Sequence, residues 1–195
     1  ISLMIAQRNP SAKISAIDIN EEAVSLAKEN FRNSSFADRL KVELLDFKNF
    51  EAQRKYDLVV CNPPIKKKNN SEKDSLARQQ RELNFRNLIE KSSEIITENG
   101  VVSVIIPAES AIEIERLAKG FHLYLTKKIN IYGIKGGNLK RNILEFSYVQ
   151  TSGNTNTTTF SLKLEVTAGL SDTQSVRAKG SMLYNENENN TSANK

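Results

Sequence analysis

The chain has 195 residues, 38% hydrophobic and 26% charged, enough to bury one sizeable core, with no apolar run long enough to span a bilayer and no signal-peptide pattern. A net charge of +5, from 28 basic against 23 acidic residues, favours a polyanionic partner only slightly. One cysteine and one histidine exclude an internal disulfide framework and a Cys/His zinc cluster, so no metal is expected; the lack of a spanning run leaves no membrane partner expected, and the lone thiol fits a cytoplasmic protein.

Residues 1–8 read as the end of a helix already under way, stopped at Asn9-Pro10, so an N-terminal truncation is expected. Residues 13–19 form a short β-rich run closing on Asp18 and Ile19, and residues 21–31 carry apolar side chains at helical spacing. A strand over 40–45 is closed by Asp46. A continuous apolar strand over 56–61 runs into the breaker pair Pro63-Pro64. After a polar loop at 66–74, the spacing predicts an amphipathic helix over 85–97, ended by Asn99-Gly100, and then a buried strand over 101–106. A helix over 110–119 follows. Strands over 121–134 and 143–149, joined through Gly136-Gly137, read as a hairpin. His122 falls in the first of these strands, where it reads as a satisfied structural residue. The order α-β-α-β-β-α-β-α-β-β predicts an α/β fold, a doubly wound and mostly parallel sheet with a C-terminal antiparallel hairpin. That domain spans residues 1–150. Residues 151–195 are rich in Ser, Thr and Asn and form a polar extension, with an edge strand at 159–166 and disorder after it.

Ligands of open parallel sheets bind outside the carboxyl ends of the strands, and three strands here end in polar residues: Asp18, Asp46 and Asn62. A carboxylate there can accept from the two vicinal hydroxyls of a ribose, which suits Asp18. Asp46 could accept from an adenine amine while Phe47 packs on the ring. Each acid could equally do no more than cap the turn that follows it.

Asn62-Pro63-Pro64-Ile65, directly after an apolar strand, is the most specific signal in the chain. The exocyclic amine of adenine is a poor nucleophile because its lone pair is delocalised into the ring. The Asn62 side-chain carbonyl and the Pro63 backbone carbonyl can each accept one amine hydrogen. That draws the nitrogen toward tetrahedral geometry and aims its lone pair at an electrophilic methyl group. The two prolines stiffen the loop and remove competing N–H donors.

With these segments the chain resembles the class I Rossmann-like methyltransferases that carry an Asn-Pro-Pro-(Tyr/Phe) motif. Within them it is most similar to the bacterial tRNA1(Val) (adenine(37)-N6)-methyltransferases. The resemblance runs from residue 1 to about residue 166 and is carried by SAIDINEEA, VVCNPP, ARQQRELNF, ENGVVSVIIPAE and LKRNILEFSYV. It implies S-adenosylmethionine as methyl donor, with Asp18 and Ile19 at its ribose, Asp46 and Phe47 near its adenine, and Asn62 beside it. It implies tRNA as substrate, with Asn62, Pro63, Pro64 and Ile65 around the target base. Three departures stand out. The family's first strand and Gly-rich loop would lie before Ile1. Ile65 replaces the aromatic residue, whose stacking on a base is worth roughly 1–3 kcal/mol. The chain beyond Val166 lacks the expected ending.

Basic residues that could contact phosphates follow the motif at Lys66, Lys67 and Lys68, with Arg78 beyond, and recur at Lys140 and Arg141. The alternatives are methylation of guanine N2 in rRNA or of glutamine N5 in a protein, or a non-catalytic RNA-binding scaffold.

Overall fold

Short apolar alternations and one helix cap account for the first part of the protein. The computed structural model describes residues 1–63, 74–133, 137–149, 156–165 and 179–184, with side chains described at 1–63, 84–133 and 137–149. It divides into two units, Ile1–Gln53 and Arg54–Lys195.

In the first unit, helix α1 (Ser2–Arg8) leads to strand β1 (Ile14–Asp18), helix α2 (Glu21–Arg32) and strand β2 (Leu40–Leu44). The strands pair in parallel, Ile14 opposite Leu40 through Asp18 opposite Leu44. Alternation places Ile14, Ala16, Leu40 and Val42 on one face, packed around the buried Ala6, Phe31 and Leu40, while Ser15, Lys41 and Glu43 remain exposed on the other. Helix α2 starts where Asn20 Oδ1 accepts from the Ala23 amide at 2.8 Å, with Glu21 and Glu22 at its positive end and Arg32 at its negative end. Arg39 ties the unit together. Its guanidinium donates to the carbonyls of Ala6 (3.0 Å), Asn9 (3.0 Å) and Ala12 (2.9 Å), at the end of α1 and in the turn after it.

The second unit holds strand β3 (Tyr56–Cys61), helix α3 (Asp74–Ile95), strand β4 (Ile96–Pro107), helix α4 (Ala111–Gly120), and strands β5 (Tyr124–Tyr132), β6 (Leu139–Ser147), β7 (Asn156–Glu165) and β8 (Lys179–Tyr184). They form one sheet in the order β3-β4-β6-β5-β7-β8. The sheet is mixed. β3–β4 and β5–β7 are parallel, whereas β4–β6, β5–β6 and β7–β8 are antiparallel. The hairpin does not simply add a strand at the end: β6 inserts between β4 and β5, so β3, β4 and β5 point the same way with β6 reversed among them. One face of the sheet carries Val102, Val104, Ile106, Leu144 and Phe146, all fully buried. Phe85 and Ile89 of α3 and Ile114, Leu117 and Ala118 of α4 are buried too and complete this core.

The structure corrects the sequence reading in four places. Helix α3 begins eleven residues earlier than its apolar spacing indicates, at Asp74, and gives way to strand at Ile96. The early start of β4 contains an irregularity: Tyr56 pairs with Ile96 but Leu58 with Val101, leaving Thr97–Gly100 outside the ladder. A Cβ at Gly100 would sit 2.9 Å from Ile96 Cβ and 3.0 Å from the Thr97 backbone, so this fold-back needs a glycine. The segment expected as an edge strand at 159–166 is β7, which lies between β5 and β8; β8 was not anticipated and forms the outer strand. The final residues, expected to be disordered, lie outside the described ones.

His122 is the fourth correction. It is a turn residue, not a strand residue, with φ of 59°. Its amide donates to Lys119 O (3.1 Å), and that of Leu123 to Ala118 O (3.0 Å), the paired bonds of a left-handed helix stop. A β-carbon in that region costs about 1 kcal/mol. His122→Gly is therefore expected to stabilise the protein by about that amount, read as a higher urea midpoint; an unchanged or lower midpoint would show that the imidazole itself contributes.

Candidate active site

Parallel pairing sets the carboxyl ends of β1 and β2 side by side, because Asp18 lies opposite Leu44 and Asp46 follows two residues later. Asp18 is exposed, and its Oδ1 accepts from the Asn20 amide at 2.8 Å. Asp46 is half-buried, and its Oδ1 accepts from the Lys48 amide at 3.0 Å, opening a single 3-10 turn over Phe47–Asn49. Both acids thus cap the following turn, and this uses one carboxylate oxygen of each. Among the described residues, no hydrogen bond is made to the other oxygen. Turn-capping and ligand acceptance are compatible in this arrangement.

Ile19 projects beside Asp18 and is 73% exposed, a large apolar surface at the edge of the sheet. Phe47 stacks against Phe50, ring centroids 6.3 Å apart and nearly parallel, a half-buried aromatic platform beside Asp46. A cleft of about 230 Å³ opens between α1, β1 and α2, with Asp18 at its rim and Ala16, Ala27, Phe31 and Val42 in its wall.

In the second unit, β3 delivers Asn62 and Pro63 at the carboxyl end of the sheet. Asn62 is exposed and Pro63 half-buried. Cys61, one residue earlier, pairs with Val104 and is half-buried. Burial pushes its thiol up from about 9 to about 11, which keeps it protonated and non-nucleophilic at neutral pH. A folded-state value above the unfolded one gives stability that is present below about pH 9 and lost as pH rises toward about 11. Cys61→Ser is expected to flatten the fall in stability across that window; an identical slope in urea titrations of both proteins would remove this assignment.

Lys140 and Arg141 are exposed at the start of β6. Pro64, Ile65, Lys66, Lys67, Lys68 and the side chain of Arg78 lie outside the described residues. Sequence reasoning missed a pair of asparagines in the sheet. Asn142 of β6 is 1% exposed and donates through Nδ2 to Asn130 Oδ1 of β5 at 2.6 Å. A signal was available for Asn142, which stands in register with the apolar Leu144 and Phe146, but not for Asn130, whose neighbours at alternate positions are Lys128 and Tyr132. Among the described residues, no group of three or more His, Cys, Asp or Glu side chains is placed to hold a metal, and no helix is long and apolar enough to cross a membrane.

Each unit is an α/β arrangement whose parallel strands run out into polar residues at their carboxyl ends, Asp18 and Asp46 in the first unit and Asn62-Pro63 in the second, the end at which ligands of open α/β sheets bind. The chain belongs to the methyltransferase small domain family, whose model matches residues 1–128. It is 45% identical to the tRNA1(Val) (adenine(37)-N6)-methyltransferase of Flavobacteriaceae bacterium strain 3519-10, over 75% of this chain and 64% of that protein. It is 40% identical to the enzyme of the same name from Flavobacterium psychrophilum, over 75% of this chain and 65% of that one. The chain thus spans a little under two thirds of these curated relatives. Solved structures agree on the fold. An S-adenosylmethionine-dependent methyltransferase from Clostridium acetobutylicum superposes with a TM-score of 0.52 at 13% identity, covering 70% of this chain and 75% of that one. A predicted O-methyltransferase from Agrobacterium tumefaciens gives 0.58 at 17% identity, covering 82% and 72%. Residues 144–195 match a second family, described as a protein of unknown function, DUF481.

Proposed function

We propose that this protein belongs to an enzyme that transfers a methyl group from S-adenosylmethionine to the N6 amine of an adenine in tRNA. Position 37 of tRNA1(Val) is the target named for its relatives. The observation that carries the reading is Asn62, exposed at the carboxyl end of an apolar strand and followed by Pro63, in a chain of the methyltransferase small domain family. The cytoplasm, where tRNA is modified, is the expected compartment.

The residues present fit the cofactor. Asp18 retains a carboxylate oxygen for the ribose hydroxyls, the exposed Ile19 offers an apolar face to the adenine, and Asp46 with Phe47 borders the same edge. Bound S-adenosylmethionine would supply an electrophilic methyl on a sulfonium centre. The chain's own part is orientation: Asn62 Oδ1 and the Pro63 carbonyl accept the two amine hydrogens and turn the nitrogen lone pair toward that methyl. No covalent intermediate with the protein is required, which suits the inert Cys61 thiol beside the motif. Lys66, Lys67, Lys68, Arg78, Lys140 and Arg141 would hold the RNA backbone, and Pro64 and Ile65 would pack against the base.

Asp18→Ala is expected to weaken S-adenosylmethionine binding by about tenfold, the loss of one well-placed charged acceptor, as measured by calorimetry. Equal affinity would assign Asp18 to turn-capping alone. The activity is tested by incubating the intact gene product with labelled S-adenosylmethionine and unmodified bulk tRNA, then identifying the labelled nucleoside after digestion. N6-methyladenosine supports the proposal. Label found only in rRNA or in a protein amide would transfer the assignment to guanine N2 or glutamine N5, and failure to bind the cofactor would leave a non-catalytic RNA-binding scaffold.

A further inference from the structure

We propose that the carboxamide pair of the buried Asn142 and the half-buried Asn130 locks the register of β5 against β6 and so positions Lys140 and Arg141 for RNA; the second half rests on the tRNA reading above. Asn130 and Asn142 are direct cross-strand partners, and Asn142 also lies opposite Ile106 of β4. Their row is next to the carboxyl end of β4, which ends at Pro107, and just beyond the row of Cys61 and Val104. The pair therefore sits at the same edge of the sheet as Asn62.

Burying a carboxamide costs free energy unless it is fully paired, and here it is not. Asn142 is 1% exposed, and its Oδ1 has no partner among the described residues. An apolar residue would pack there at lower cost, so the pair calls for an explanation other than stability. Register supplies one. Slipping β6 by one residue would turn Arg141 and Ile143 into the buried face, and apolar patterning alone forbids that. Slipping by two residues keeps Leu144 and Phe146 on the buried face, and patterning does not forbid it. Such a slip would bring Asn142 opposite Lys128 or Tyr132 and break its one hydrogen bond. The competing constraint on the other face, Lys127 with Glu145 at 4.0 Å, is long and half-exposed and holds the register weakly. Both register irregularities of the β5–β6 ladder, at Leu125/Lys127 and at Ile131/Tyr132, flank the asparagine row, so the ladder has places where a slip can be absorbed. A slip of two residues moves Lys140 and Arg141 about 7 Å along the strand, far enough to lose a phosphate contact.

The test uses this chain with Cys61→Ser throughout. Ile129→Cys with Ile143→Cys reports the native register, in which those residues are opposite. Ile129→Cys with Glu145→Cys reports a slip of two. With the asparagines intact, only the first pair is expected to form a disulfide under mild oxidation. With Asn130→Leu/Asn142→Leu, the second pair is expected to cross-link as well. Without engineered cysteines, this double variant should bind unmodified tRNA about tenfold more weakly at fixed salt, with S-adenosylmethionine affinity unchanged. Asn130→Thr/Asn142→Thr, which restores a cross-strand hydrogen bond, should return the single register and the affinity. A single register in the leucine variant overturns the lock, and a slipped register with undiminished tRNA binding overturns its positioning role. If the unsubstituted chain binds no tRNA, the RNA reading itself fails, and the cross-linking arms still decide the lock.

Discussion

Asn62→Ala is expected to reduce methyl transfer to tRNA by about 10²- to 10³-fold while leaving S-adenosylmethionine affinity unchanged. The side chain is exposed at the end of β3 and contributes nothing to the packed core, so its loss leaves the fold intact. In the proposed mechanism, what disappears is one of two acceptors that hold the amine in the geometry of attack, an interaction that strengthens as the nitrogen pyramidalises. Single-turnover rates isolate that step from binding and product release. Asn62→Asp retains an acceptor of the same length and should lose less than the alanine variant. Full activity in Asn62→Ala would remove the orienting role and with it the main argument for amine methylation.

Arg39→Ala should lower the stability of the first unit by about 3 kcal/mol, from the loss of three charge-assisted hydrogen bonds tempered by partial solvent access. The guanidinium neutralises the carbonyl end of α1 and pins the turn through Ala12 that feeds β1. Its Cζ lies 5.4 Å from the centre of the Phe36 ring, a cation–π contact. Arg39→Lys should recover only part of the loss, since an ammonium cannot bridge three carbonyls in a planar fork. Amide hydrogen exchange in β1 and β2 reads the effect locally. Unchanged protection of those strands would mean that the apolar cluster around Phe31 suffices without the clamp.

Apolar continuity made the strands legible. The run YDLVVC appears as β3 over Tyr56–Cys61, and the helix over Glu21–Arg32 follows its apolar spacing closely. Helix α3 was seen only in its second half, because DSLARQQRELN presents no apolar stripe. Strand β8 has the sequence KGSMLY, too short and too mixed to show a period of two. The turn at His122 was masked by its apolar neighbours, which read as strand, whereas a glycine there would have announced a helix stop. The strand-end placement of Asp18 and Asp46 in the first unit and of Asn62 in the second was readable because each closes an apolar run. The dual use of Asp18 and Asp46 was not, since which carboxylate oxygen caps a turn depends on backbone geometry. The Arg39 clamp joins residues about thirty positions apart and leaves no local trace.

Strand β7 lies along β5 in parallel register, from Asn156 opposite Lys127 to Ser161 opposite Tyr132, and it belongs to the stretch that matches a family other than the methyltransferases. A sheet edge chooses its neighbour by backbone donors and acceptors, which every sequence except proline offers alike. Whatever follows β6 can therefore be exchanged by recombination without redesigning the interior that α3 and α4 close. The outer part of this sheet thus rests on pairing that asks for no particular side chain, whereas the core under β4 and β6 depends on specific apolar residues.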